Sequence, residues 1–323
     1  MPSYSGVWNL VSQYQARAQG NWTGLPQTNS ALIAGGDTGF GVGFNTINYV
    51  NISTLGNATV FGQLSSRKYS MAAAGSATSA YFFGGQDVAA GDATNVIEYT
   101  TFATTGTVAD FGDLISPLRA ISAANSTTRA YIAGGGDVNN VIQYITMTTS
   151  GNAIDFGDLT YSTSNGPACC SSPTRGLIAG GQSGATFYSN IAYITIATTG
   201  NAISFGNLTF GRYNVTASGS ATRGIFFGGE GTGGRTNIMD YVTIASTGNA
   251  IDFGDLLFAN YYLASSSNPT RSIISGDYAT PGSPTNLIQY VTIASTGNAL
   301  DFGDLTYASA YQAGCSGGNG GLQ

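Results

Sequence analysis

The chain contains no histidine, a single lysine (Lys68) and few charges of any kind. Only 8% of its 323 residues are Asp, Glu, Lys or Arg, against about 25% in an ordinary domain. Without an imidazole there is no His-ligated metal site, no Ser-His-Asp triad and no proton shuttle near neutral pH. Nine arginines are scattered along a chain of net charge −6. That argues against a phosphate-binding surface, because nucleic-acid affinity rests on clustered Lys and Arg. The three cysteines, Cys169, Cys170 and Cys315, are too few for a disulfide framework. No apolar run approaches the ~20 residues that span a bilayer, so membrane insertion is not expected. Met1 to Leu10 lacks the basic start and apolar stretch of a signal peptide. Strong helix formers are sparse, while Ile, Val, Tyr, Phe and Thr recur in short runs, a β composition.

What is present is a repeat. Phe-Gly-(Asp/Asn/Gln)-Leu occurs at Phe61–Leu64, Phe111–Leu114, Phe156–Leu159, Phe205–Leu208, Phe253–Leu256 and Phe302–Leu305, in steps of 50, 45, 49, 48 and 49 residues. A period in this range marks stacked or radial copies of one supersecondary unit. One copy divides into four strands. Arg212–Gly219 is rich in small residues (A). Arg223–Gly229 is apolar and stopped by two glycines (B). Asn237–Ala245 broadly alternates (C). After the turn Ser246-Thr247-Gly248-Asn249 comes Ala250–Leu256 (D). Gly and Asn suit hairpin turns, so the unit predicts an antiparallel meander.

A single four-stranded sheet cannot bury both faces, and radial packing of blades solves this while protecting edges. The repeat opens on a B strand at Ala31–Gly36 and closes on an A strand at Ala308–Ser316. Each supplies what the other lacks. The expected fold is therefore all-β: a six-bladed propeller over residues 25–323, its first blade closed by the last strand. A solenoid, the competing architecture, gives no reason for this complementarity.

The pattern resembles the Kelch family of β-propellers. The resemblance lies in the glycine pairs Gly35-Gly36, Gly84-Gly85, Gly180-Gly181 and Gly228-Gly229 and in the strand C tyrosines Tyr49, Tyr99, Tyr144, Tyr193, Tyr241 and Tyr290. Phe stands in strand D where that family usually has Trp. The resemblance covers roughly residues 30–316 and implies a fold, since propellers host many functions. Residues 1–24 lie outside the repeat. Their Gly6-Val7-Trp8 and Gly20-Asn21-Trp22 resemble the leader before the binding modules of some bacteriophage virion proteins. That resemblance implies a tail-fibre-like appendage of a phage particle, assembled in the host cytoplasm, with attachment to other virion proteins through Trp8, Leu10, Tyr14 and Trp22. Fibre parts of this kind are often homotrimers. Trp8, Val11 and Tyr14 also share one face of a helix that could pack on the rim.

The carboxylate pairs Asp110/Asp113, Asp155/Asp158, Asp252/Asp255 and Asp301/Asp304 have the look of a glycosidase dyad. They recur with the repeat, however, whereas an active site on a ring breaks its symmetry. With the equally repeated Arg129, Arg175, Arg223 and Arg271 they read as turn caps and inter-blade ion pairs. Galactose-oxidase-like copper sites need histidine, and the Ser-x-Asp-x-Gly-x-x-Trp box of sialidases is absent. The loop from Gly84 to Asp92 lacks the dense Asp/Asn spacing of a Ca²⁺ site. The expectation is a non-enzyme with no cofactor and no metal. Cys169 and Cys315, each 13 residues after a repeat phenylalanine, are expected at equivalent places in opposite A strands, as free buried thiols.

The C–D turns are nearly constant, whereas the B–C loops vary and share one face with the aromatic-rich D–A connections. Variable loops on a rigid scaffold are where recognition usually resides. Phe187, Tyr188, Tyr213, Tyr261, Tyr262 and Tyr278 lie there without a copy in every repeat, beside Asn, Ser and Thr. They are the candidate ligand-binding residues, suited to stacking on neutral sugar rings of a host-surface glycan. The alternatives are a purely architectural connector or decoration protein of the virion, and a bacterial Kelch-type adaptor, which this charge-poor chain fits less well.

Overall fold

A computed structural model describes residues 29–318 except 40, 137–138 and 278–282. The expectations for Trp8, Leu10, Tyr14, Trp22 and Tyr278 lie outside the described residues. Strand pairing gives six four-stranded antiparallel meanders, each in the order A-B-C-D. Blade 1 joins Ala313–Ser316 to Ser30–Ala34, Phe44–Asn51 and Thr59–Tyr69. Blade 2 is Ala72–Gly75, Ser79–Phe83, Val96–Thr101 and Ala109–Asp113; blade 3 is Ser122–Asn125, Arg129–Ala133, Asn139–Thr146 and Ile154–Thr163. Blade 4 is Ala168–Ser171, Arg175–Ala179, Asn190–Thr195 and Ile203–Asn207. Blade 5 is Thr216–Gly219, Arg223–Phe227, Gly234–Thr243 and Ile251–Asn260, and blade 6 is Ala264–Ser267, Arg271–Asp277, Thr285–Thr292 and Leu300–Asp304. The A strands contact one another in cyclic order, the last returning to the first. Six apolar clusters each span one junction between neighbouring blades. The propeller is thus closed as the complementary chain ends imply.

The repeated phrase holds the blades to each other. Its Phe and Leu are buried in every copy. Its glycine is where the next blade's C–D turn lands. The Gly248 amide donates to the Phe205 carbonyl (2.9 Å), and Asn249 Oδ1 accepts the Asn207 amide (3.0 Å). The same pair of bonds recurs between blades 5 and 6, from Gly297 to Phe253 (2.8 Å) and from Asp255 to Asn298 (3.0 Å). A Cβ on Gly254 would sit 2.5 Å from the Gly297 carbonyl oxygen, and a Cβ on Gly206 would overlap that of Gly248, whereas a Cβ on Gly248 would meet open space. Gly206→Ala is therefore expected to destabilise by about 1–3 kcal/mol, the cost of overpacking a tight contact, and Gly248→Ala by less than about 1 kcal/mol. Chemical unfolding of the two variants checks this; equal losses would contradict it.

The repeated arginines do cross between blades, but to carbonyls rather than carboxylates. Arg129 Nη1 donates to the carbonyls of Ile196 and Ala197 (3.2 and 2.9 Å), and Arg175 to Ile244 and Ala245 (2.8 and 3.0 Å). Arg223 reaches Ile293 (2.7 Å) and Arg271 reaches Ile52 (2.9 Å). Each guanidinium lies 4.4–4.7 Å over the strand C tyrosine of its own blade. The first Asp of each repeated pair is exposed on the outer strand, and among the described residues no arginine forms an ion pair with it.

Glu98 and Asp240, acids with no acidic counterpart in the other four blades, occupy one repeated position, the residue before the strand C tyrosine. In every blade but the fourth, where Ala192 stands, an acceptor there takes the amide after the repeat leucine of the preceding blade. Asn48, Gln143 and Gln289 do this for Thr306, Ile115 and Leu257 (3.4, 2.9 and 2.9 Å), and Glu98 and Asp240 for Ser65 and Thr209 (both 3.1 Å). The two carboxylates form the ion pairs found among the described residues, with Lys68 (3.1 Å) and Arg212 (3.0 Å). Lys68 and Arg212 themselves hold equivalent places in the connections entering blades 2 and 5.

The cysteines are free and buried, but Cys170 rather than Cys169 is the counterpart of Cys315. Strand pairing sets Cys170 opposite Leu177 and Cys315 opposite Leu32, the third residue of strand A in both blades. The connection into blade 4 carries one extra residue, which displaces the count. Third-position residues, including Ala74, Ala124, Ser218 and Ser266, are at most 1% exposed and do not line the axial channel. The channel wall instead carries the second position: Ala73, Ala123, Cys169, Ala217, Ser265 and Gly314.

Candidate functional site

The D–A connections and B–C loops form one face, as the meander requires, and pair with each other there. Lys68 and Tyr69 pair with Gln86 and Asp87, and Arg212 and Tyr213 with Glu230 and Gly231. Single bridges join Asp37 to Ala310 and Asn165 to Gln182. The segment Arg212–Tyr213, expected within strand A of blade 5, is thus part of this face, and strand A begins at Thr216. Two loop carboxylates are spent on local order. Asp37 accepts the amides of Gly39, Gly41 and Gly43 (3.0, 3.1 and 3.0 Å). Asp87 accepts Ser66 Oγ (2.6 Å) and the amides of Ala89 and Ala90 (2.8 and 3.1 Å). Burial works against the Asp87 charge, but these donors hold its carboxyl below the usual range.

Where the D–A connections turn into the A strands, they ring the mouth of the axial channel. Six equivalent residues stand there: Ser70, Ala120, Gly166, Asn214, Tyr262 and Tyr311. All have left-handed backbone, φ between 45° and 61°. Among the described residues, the non-glycine positions with positive φ are the five non-glycine members of this ring. Neighbours are tied amide to carbonyl: Gly166 to Ala120, Ala120 to Ser70, Ser70 to Tyr311 and Tyr311 to Tyr262, at 2.9–3.2 Å. This belt satisfies backbone groups that the turn would otherwise strand.

An arc of aromatic side chains covers one half of the mouth. Tyr262 stacks on Tyr311 with centroids 3.7 Å apart, and Tyr261 lies 4.2 Å from Tyr262. Tyr69 meets Tyr311 edge-on at 5.9 Å, and Phe187 stacks on Tyr213 at 5.5 Å. Arg235 lies 4.5 Å over the ring of Tyr261, with Nη2 3.4 Å from its hydroxyl. The Tyr213 hydroxyl donates to Glu230 Oε2 (3.3 Å). All these aromatic rings are half-buried. Burial and the Glu230 charge push the Tyr213 phenol well above its ordinary pKa; burial raises Tyr261, opposed by Arg235. The Tyr213 and Tyr261 hydroxyls are therefore neutral hydrogen-bonding groups at physiological pH.

Of the candidate residues, Phe187, Tyr213, Tyr261 and Tyr262 come together in this arc. Tyr188 does not. It packs on Tyr161 at 4.8 Å, whose hydroxyl donates to the Gly180 carbonyl (3.0 Å). Tyr311, Tyr69, Asn214, Arg235 and Glu230 belong to the arc although the sequence reading did not single them out. Tyr311 fell inside the span read as strand A; its alignment with Tyr262, both two residues before the first strand A residue, is the signal that would have found it.

Burial raises the pKa of several thiols and phenols in the core, to about 12 for Cys169 and Cys315, and it also pushes Cys170, Tyr131, Tyr161 and Tyr307 above their ordinary values. A raised folded pKa gives stability that is complete below the unfolded value and lost as pH rises through the folded one. Unfolding free energy is thus expected to hold steady to about pH 8.5 and to fall steeply from about pH 9 to 12. Denaturant titrations in reductant across that range measure it; unchanged stability at about pH 11 would contradict it.

No protein-family model matches the chain, and no curated protein resembles it in sequence. The propeller itself supports an interaction role in general, since its variable loops converge on one rigid face.

Proposed function

We propose that the protein is a non-enzymatic recognition module of a phage virion appendage, binding a host-surface glycan through the loop face. The aromatic arc at the channel mouth carries this reading: Tyr261, Tyr262, Tyr213 and Phe187 converge there although they come from different blades. Half-buried aromatic faces beside hydroxyls and amides suit sugar rings, with the arc's charged members, Arg235 and Glu230, lying against Tyr261 and Tyr213, and the low charge density of the chain suits an uncharged ligand. The virion setting rests on the likeness of residues 6–22 to phage leaders and of the repeat to Kelch propellers.

Adsorption of the full chain to intact candidate host cells tests the reading. Tyr213→Ala and Tyr261→Ala are expected to weaken saturable binding by about ten-fold each, the size of a lost stacking contact, with melting behaviour retained. Absence of binding to any cell, or binding indifferent to both changes, would contradict it.

A second reading is favoured by one observation. Ile154, Ile203, Ile251 and Leu300 occupy the same outer-strand position in blades 3 to 6 and are 56–60% exposed. An aliphatic belt on the rim suits lateral contact with other virion proteins, the role of an architectural connector.

A further inference from the structure

The mouth ring is asymmetric in a way the repeat does not require. Ser70, Ala120 and Gly166 are small and adjacent, whereas Asn214, Tyr262 and Tyr311 fill the other half. The small half leaves the channel open beside a wall of two stacked tyrosines. A left-handed backbone is a genuine departure for a bulky side chain and costs on the order of 1–3 kcal/mol per residue. Tyr262 (φ 59°) and Tyr311 (φ 61°) keep it, and it sets both residues on the rim of the channel. Backbone strain alone names no ligand, but a second observation does. Asn214 is 7% exposed and lines the channel, yet its Nδ2 meets no acceptor at hydrogen-bonding geometry, although the Tyr262 phenol is close by. A buried amide donor left unmade is costly and invites a partner.

From the mouth inward the channel forms a cavity of about 100 Å³ with no charged side chain in its lining. That is well under the roughly 300–1,000 Å³ of pockets that enclose a drug-sized ligand, so it admits one small terminal unit and not a chain of several. Its polar groups are neutral, among them Ser122, Thr216 and Ser265. An ionic terminus would lose its hydration there without a counter-charge.

Resting on the glycan-binding reading, we infer that recognition is end-on. The uncharged terminal residue of a glycan chain enters the channel through the gap beside Ala120, lies against the Tyr262–Tyr311 wall and accepts a hydrogen bond from Asn214 Nδ2. The following units of the chain cross the outer arc, on Tyr261 and the Phe187–Tyr213 stack. Specificity then lies in the chain end, with the loop aromatics adding affinity.

The test uses the full chain and a panel of neutral oligosaccharides, each tethered through its reducing end, together with cyclic oligosaccharides of the same sugars. The variants are Ala120→Tyr, which fills the open half at a position already left-handed, and Tyr261→Ala, which strips the outer arc. End-on recognition expects binding to free-ended chains, none to cyclic ones, and at least a ten-fold loss in Ala120→Tyr with its melting temperature kept. Asn214→Ala is a second probe and is expected to lose binding without losing the fold. Binding that survives Ala120→Tyr but falls in Tyr261→Ala, or that accepts cyclic sugars equally, overturns end-on entry and leaves face recognition standing. No binding to any member of the panel overturns both.

Discussion

Replacing Asp240 with asparagine is expected to destabilise the propeller by about 3–5 kcal/mol, the cost of leaving a buried charge without its partner. Arg212 and Asp240 meet at 3.0 Å with both side chains fully buried. The guanidinium lies 4.7 Å over Phe210. Burial pushes the Arg212 pKa below its ordinary value, and the Asp240 charge opposes that push. Asparagine keeps the shape, and a carbonyl oxygen in the place of Oδ2 can still accept the Thr209 amide and hydroxyl that bond Asp240 there (3.1 and 2.9 Å). The variant therefore isolates the charge. Arg212→Met combined with Asp240→Asn should recover most of the loss, since replacing a buried ion pair by apolar packing is often neutral. Equilibrium unfolding in urea compares the three proteins. A loss under about 0.5 kcal/mol, the usual effect of a harmless surface change, would contradict this role.

Truncating the chain before Ala308 is expected to abolish cooperative folding. The strand Ala313–Ser316 pairs with Ser30–Ala34 and stands between the A strands of blades 6 and 2. Ser316 Oγ donates to the Ser267 carbonyl, and the Ser316 carbonyl lies against Gly75. Its loss uncovers the wholly buried Leu32, Ile33 and Ala34 and opens the inner edge of blade 1's sheet, and an open edge is a site of aggregation. Net stabilities of only about 5–15 kcal/mol do not survive the loss of two blade junctions. A circular permutant that begins at residue 308 and runs on to residue 29 through a linker should fold and melt as the natural order does. A truncated chain that melts cooperatively near the intact protein would show that the ring does not depend on this strand.

Much of the fold was legible because the repeat is long, regular and tied to buried residues. The Phe-Gly-x-Leu phrase, the strand C tyrosine and the doubled glycine each answer a packing need that recurs in every blade. Details that depend on partners distant in sequence were not legible. The repeated arginines looked like half of ion pairs, but their acceptors are carbonyls of the next blade, which carry no sequence signal. Glu98 and Asp240 looked irregular because Gln, Asn and an acid can each accept the same amide, and only Lys68 and Arg212 make the charge necessary. One inserted residue in the connection to blade 4 was enough to exchange Cys169 and Cys170. The candidate site was half legible. Loop aromatics without a copy in each repeat led to Phe187, Tyr213, Tyr261 and Tyr262. The same rule brought in Tyr188, which is engaged with Tyr161, and overlooked Tyr311, whose place is set by the left-handed turn before the strand.

Which face of the ring meets a ligand is the central question, and hydrogen exchange of the full chain on intact host cells answers it most directly. Recognition at the channel mouth expects slowed exchange in residues 186–190, 210–214, 230–236 and 260–263, with the C–D turns at 103–107, 149–153, 198–202 and 246–250 unchanged. Protection confined to those turns or to the outer strands, with the mouth unaffected, would contradict it.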